Sequence, residues 1–232
     1  MDRFGGERRY RPIPPNKEAL IKTRIQALTP RVASLRQRLQ NGELLPERFD
    51  ENIVRMIVAR ELLTERAKLR DLIDDKTQLP NSKWFGRELQ ERIERVKKEG
   101  GSIGIIMLDI DNFGEINKRI GQQAGDEVLR QVALQIELNT RLEDFPARWG
   151  GEEFIVITEV EDPQILKDIS ERIRKGVAEG SYGNAGSQSV SMGGTIYTDG
   201  ERAEDFIQRA NNAMILSKNT GKNKVSIPEL GK

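Results

Sequence analysis

An α/β sandwich, with a central sheet containing antiparallel strands flanked by helices and a small helical module ahead of it, is the architecture this 232-residue sequence predicts. Three observations carry it. From residue 103 onward, apolar runs of strand length alternate with amphipathic stretches of helical length. Between two of those runs, Gly150-Gly151 marks a tight turn, because glycine reaches positive φ at no steric cost, and so predicts an antiparallel hairpin. Before residue 73 only helical spacing recurs, so the helices of that part form a unit of their own.

Residues 1–16 are rich in Arg, Pro and Gly, lack apolar periodicity and read as a flexible tail. Residues 17–73 read as a regulatory or dimerising helical module. A helix begins at Glu18 and stops near Pro30, a second covers Val32 to Leu39, and a connecting helix runs from Arg48 to Ile73. Its apolar positions (Ile53, Met56, Ile57, Leu62, Leu63, Leu69, Leu72) recur at helical spacing, but Arg60 and Arg70 interrupt a coiled-coil seam. Turn-formers and a proline over Asp74–Asn81 then break the helix. Residues 74–228 form the α/β domain: a helix over Ser82–Lys98, a strand over Ile103–Leu108 and a helix over Asp126–Arg141. The hairpin Ala147–Trp149 with Phe154–Thr158 comes next. A helix over Pro163–Gly180, a strand over Ser189–Thr198, a helix over Ala203–Thr220 and a short strand over Lys224–Ile227 complete it.

Composition narrows the chemistry. There is no cysteine and no histidine, which removes disulfides, thiolate nucleophiles, imidazole bases and the usual zinc sites. Carboxylates, hydroxyls, lysines, arginines and a bound cation must carry any reaction. A formal net charge of +1 offers no bulk attraction to nucleic acid or to a membrane surface, and no apolar run spans a bilayer, so the expected location is cytoplasmic.

Glu152 and Glu153 concentrate like charge at the hairpin tip, where a divalent cation would make sense of it, since hard cations take carboxylate oxygens. Asp109 and Asp111 follow the strand Ile103–Leu108 and would share one face if that strand continued. Carboxylates at a strand end beside a hairpin tip can hold metal against a triphosphate.

These residues belong to a longer pattern: Asp109-Ile110-Asp111-x-Phe113-x-x-Ile116-Asn117, then Gly121-x-x-x-Gly125-Asp126-x-x-Leu129, then Gly150-Gly151-Glu152-Glu153-Phe154. It strongly resembles the GGDEF domain of diguanylate cyclases, from the turn Asp74-x-x-Thr77-x-Leu79-Pro80-Asn81 to Gly221-Lys222-Asn223-Lys224-Val225. The resemblance implies a polymerase-palm-like, nucleotidyl-cyclase-like fold. It also implies that two GTP molecules, one on each of two domains facing head to tail in a homodimer, condense to cyclic di-GMP and two pyrophosphates. By position it assigns Asp109, the Ile110 carbonyl and Glu152 to Mg²⁺, with Mn²⁺ as a substitute, and Glu152 with Glu153 to activation of the ribose 3′-hydroxyl. It assigns Asn117 and Asp126 to the guanine edge, the backbone N–H groups of Phe113 and Gly114 to the phosphates, and Lys218 and Lys222 to their charge. Arg141-x-x-Asp144, separated from Gly150 by five residues, and Arg172 are similar to the family's product-binding inhibitory site.

Departures accompany the likeness. The family usually has Leu, Gly and Arg at Lys76, Gln78 and Ser82. It often has Lys at Gly114, Asp at Lys118, His at Gln122, Asp at Asn211, Tyr at Ile215 and Arg at Lys222. An alternative reading is therefore a weak or inactive member that serves as a receptor for cyclic di-GMP or GTP. A mixed adenine–guanine cyclase is a third, against which Asp126 stands.

Overall fold

The computed structural model describes residues 71–141 and 143–228. The tail expected over 1–16 and nearly all of the helical module expected over 17–73 lie outside the described residues. At the join, residues 71–73 form a turn and a bridge, with Ile73 paired to Pro80, where a helix was expected to continue to Ile73. The physical reason lies in the Asn81 side of the loop. The Asn81 amide donates to the Leu72 carbonyl and its side chain to the Asp71 carbonyl, taking the acceptors a continuing helix would use.

Asn81 also starts the first helix, α1 (Ser82–Glu99), its side chain accepting from the backbone N–H groups of Lys83 and Trp84. Strand β1 (Ile103–Ile110) follows, then α2 (Phe113–Ile120), α3 (Gln122–Asn139), β2 (Phe145–Gly150), β3 (Glu153–Glu159), α4 (Pro163–Glu179), β4 (Val190–Ile196), α5 (Ala203–Asn219) and β5 (Val225–Ser226). The sheet order is β2-β3-β1-β4-β5, antiparallel except for the parallel β4–β5 edge. The α/β sandwich expected from the sequence is the fold observed.

Two differences are local. Helix α2 was read only as part of a motif, because eight residues with two buried side chains carry little periodicity. Helix α3 begins at Gln122, four residues before the expected Asp126. Gly121 and Gly125 look like breakers there, yet Gly125 lies inside the helix: a Cβ on it would stand 1.8 Å from Asn117 Oδ1. Glycine is needed at 125 for room, not for a turn.

β1 is buried along its whole length because both faces are covered. Ile106, Leu108 and Ile110 join the core made with α2, α3 and α4. Alternation turns Ile105, Met107 and Asp109 to the opposite face, on which α5 packs. That packing is close: a Cβ on Gly193 of β4 would lie 2.0 Å from the Met214 backbone nitrogen of α5. Gly193→Ala is accordingly expected to destabilise the protein by about 3 kcal/mol through overpacking against backbone, read as a shift in the urea midpoint with an unchanged slope.

Candidate active site

Strand β1 delivers Asp109 to the end of the sheet with 4% of its surface exposed. In register it sits opposite Glu153 of β3 on one side and Ser191 of β4 on the other. The Ile110 amide bonds the Glu152 carbonyl at 3.3 Å, which seats the hairpin turn beside the strand end. Glu152 occupies that turn and Glu153 opens β3; both are half-buried, and neither has an ion-pair partner among the described residues. The Asp109 carboxylate meets Lys218 Nζ at 2.6 Å. Burial first, then the charges of Glu152 and Glu153, push its pKa up to about 6 despite the opposing hydrogen bond and charge of Lys218.

Asp111 does not share this role. The strand ends at Ile110, so alternation no longer governs it. Its carboxylate instead accepts from Ser189 and Ser191 hydroxyls, both at 2.6 Å, and from the Asn223 amide at 3.0 Å. It is a structural anchor that joins the end of β1 to β4 and to the turn after α5.

The hairpin has an anchor of its own. Arg148 Nη1 grips both oxygens of Asp74 at 2.9 and 3.0 Å, while Nε and Nη2 donate to the Gly151 carbonyl. Burial acts on Asp74 to raise its pKa, but the Thr77 amide and hydroxyl and Arg148 outweigh it and hold the group below the usual carboxylate range. The turn carrying Glu152 is thus tied to the loop before α1.

Phe113 and Gly114 form the first turn of α2, where backbone N–H groups lack intrahelical acceptors. Asn112, in the left-handed region at φ 59°, accepts from Lys222 through its side-chain oxygen. Lys218 and Lys222 therefore face the same end of β1 as the carboxylates. On α2 and α3, Asn117 Oδ1 is buried without a hydrogen-bond donor, and Asp126 pairs with Lys76 at 2.7 Å.

Arg141 and Asp144 stand elsewhere, in the turn between α3 and β2. Asp144 is buried; one oxygen accepts the Arg141 amide at 2.7 Å and the other has no donor. Arg92 of α1 supports the turn by donating to the Glu143 carbonyl at 2.9 Å. Arg141 lines a cavity of about 370 Å³ with Arg95 and Glu159, and Arg172 of α4 donates to the Asn139 carbonyl at the end of α3. Arg92, Arg148 and the two serines escaped sequence reasoning, since their partners lie far away along the chain.

The family model described as diguanylate cyclase, GGDEF domain, matches residues 71–224. The chain belongs to the GGDEF family. Similar curated proteins include diguanylate cyclase A of Treponema denticola, 33% identical over 77% of this chain and 51% of its own, and diguanylate cyclase DgcP of Pseudomonas aeruginosa, 31% identical over 70% and 25%. The chain thus spans from a quarter to about half the length of these relatives. Among solved structures it is similar to the coiled coil and GGDEF domain of DgcB from Caulobacter crescentus in complex with c-di-GMP: TM-score 0.70, 29% identity, 84% of this chain and 100% of that one. It is also similar to the active GGEEF domain of a diguanylate cyclase from Vibrio cholerae, at TM-score 0.62 and 28% identity over 66% and 100%. No helix among the described residues is long and apolar enough to cross a membrane.

GGDEF diguanylate cyclases use divalent metal, and the residues here fit one. A buried carboxylate of raised pKa faces two unpaired glutamates, a concentration of negative charge that a cation relieves. Among the described residues no three carboxylates form a cage by themselves; two carboxylates and a carbonyl leave a hard cation's remaining positions to water and phosphate. The raised pKa also has a sign in stability. Folded Asp109 binds a proton more tightly than unfolded Asp109, so its contribution is fully present below the ordinary 3.8 and is lost as pH rises through about 6. In EDTA, Asp109→Asn is expected to melt higher than wild type at pH 7.5 and level with it near pH 4. Added Mg²⁺ should raise the melting temperature of the wild type alone.

Proposed function

We propose that this chain is an active diguanylate cyclase that condenses two GTP into cyclic di-GMP. The observation that carries the reading is Asp109 at the buried end of β1, facing Glu152 and Glu153 across the hairpin with the first turn of α2 alongside. Asp109, the Ile110 carbonyl and Glu152 hold Mg²⁺, or Mn²⁺ in its place. Bound there, the cation stabilises charge developing on the triphosphate and lowers the pKa of the attacking hydroxyl.

The chain's own groups do the rest. The free N–H groups of Phe113 and Gly114 hold phosphate oxygens, and Lys218 and Lys222 balance their charge. Asp126 accepts from the guanine N1–H and N2–H₂ groups, and the Asn117 amide completes recognition of the base. Glu152, aided by Glu153, takes the proton of the ribose 3′-hydroxyl as its oxygen bonds to the α-phosphorus of the facing GTP and pyrophosphate leaves. Each domain holds one GTP, so closing the ring takes two domains head to tail. Residues 17–73 bring them together, and the enzyme works as a homodimer.

Product binds at Arg141, Asp144 and Arg172. The exposed Arg141, on a turn held by Asp144 and Arg92, supports this. Bound there, cyclic di-GMP inhibits the enzyme.

Purified full chain, stripped of bound nucleotide and incubated at high concentration with GTP and Mg²⁺, is expected to release cyclic di-GMP. Glu152→Gln should reduce turnover at least about 100-fold, and a truncation starting at Leu69 should be slower than the full chain at equal concentration. No product from the full chain would reject the reading; equal rates for chain and truncation would reject regulation by the helices. Arg141→Ala should leave initial turnover intact and abolish the slowing caused by added cyclic di-GMP.

A further inference from the structure

The ion pair between Lys76 and Asp126 has no part in the chemistry above, yet it occupies a group that the proposed reaction needs. Lys76 Nζ lies 2.7 Å from Asp126 Oδ1, with side-chain exposures of 46% and 31%. A carboxylate reads guanine with both oxygens, one accepting from N1–H and the other from N2–H₂. Lys76 engages one of them with an ammonium. The contact is not held by burial, so it can open, and an oxygen that also accepts from the ammonium is a weaker acceptor for the base.

We infer that Lys76 is a latch on the guanine-reading carboxylate, a residue that sets GTP affinity and base preference by competing with the base for Asp126 Oδ1. The inference rests on the proposed reading of Asp126. Lys76 lies in the loop 74–80, whose Asp74 also clamps Arg148 and, through it, the Glu152-bearing turn. One short loop therefore touches both the base end and the metal end of the site.

The latch makes a prediction specific to the base. Hypoxanthine has N1–H but no N2 amino group, so it needs one carboxylate oxygen and can share Asp126 with Lys76. Guanine needs both. Removing the ammonium must therefore help GTP more than ITP.

The test is steady-state kinetics and direct titration of GTP and ITP with Mg²⁺, on the full chain and on Lys76→Met, Lys76→Arg and Asp126→Asn. An exposed pair of this kind is expected to change affinity about two- to fivefold. Lys76→Met should lower KM and Kd for GTP by that factor with kcat unchanged and shift ITP less. Lys76→Arg should behave as wild type, and added salt should narrow the gap between Lys76→Met and wild type. An unchanged or raised KM for GTP in Lys76→Met, or equal gains for both nucleotides, would overturn the latch. If Asp126→Asn binds GTP as wild type does, the guanine reading itself fails and the latch with it. If Asp126→Asn loses GTP while Lys76→Met changes nothing, only the latch fails.

Discussion

Everything at the candidate site follows from ending a strand that is buried on both faces with a carboxylate. β1 is hydrogen-bonded on each side and packed above and below, so its last residues have no freedom to turn toward solvent. Asp109 is held where ionisation is costly, and its raised pKa is the direct result. A buried carboxylate is tolerated when something positive can reach it. Lys218 supplies part of that charge from α5, the helix that covers Asp109's own face of the sheet. The close approach of α5, which depends on Gly193, is thus a condition of the site as well as of the core.

The remaining charges near this strand end divide into two groups by what they touch. Asp74 with Arg148, and Asp111 with Ser189, Ser191 and the Asn223 amide, are saturated by hydrogen bonds and hold loops in place. Glu152, Glu153 and one oxygen of Asp144 lack protein partners among the described residues. The saturated groups build the scaffold, and the two glutamates leave the charge at the strand end uncompensated. Asp109 lies between the two groups: it meets Lys218 alone and faces two glutamates, whereas Asp111, two residues on and identical in type, is filled by three donors.

Much of this was legible from residue order. Strand and helix alternation, the Gly150-Gly151 hairpin, the break over Asp74–Asn81 and the carboxylates around β1 all rest on local rules that need no partner. The misreadings have two causes. Helix α2 is too short to show a period, while the start of α3 and the role of Asp111 are set by contacts beyond the local pattern: Asn117 packing over Gly125, and serines about 80 residues away claiming Asp111. Arg148 has the local pattern of an ordinary strand residue, and only Asp74, 74 residues away, makes it an anchor.

The sequence alone determined the α/β sandwich, the absence of cysteine and histidine chemistry, and the family pattern of glycines and acids, since these depend on composition, periodicity and spacing. Only the tertiary structure decided which carboxylates are consumed by anchors, which lysine meets which acid, and that Lys76 sits on Asp126. Those outcomes depend on side chains brought together from separate elements, and no local spacing encodes a distance across a fold.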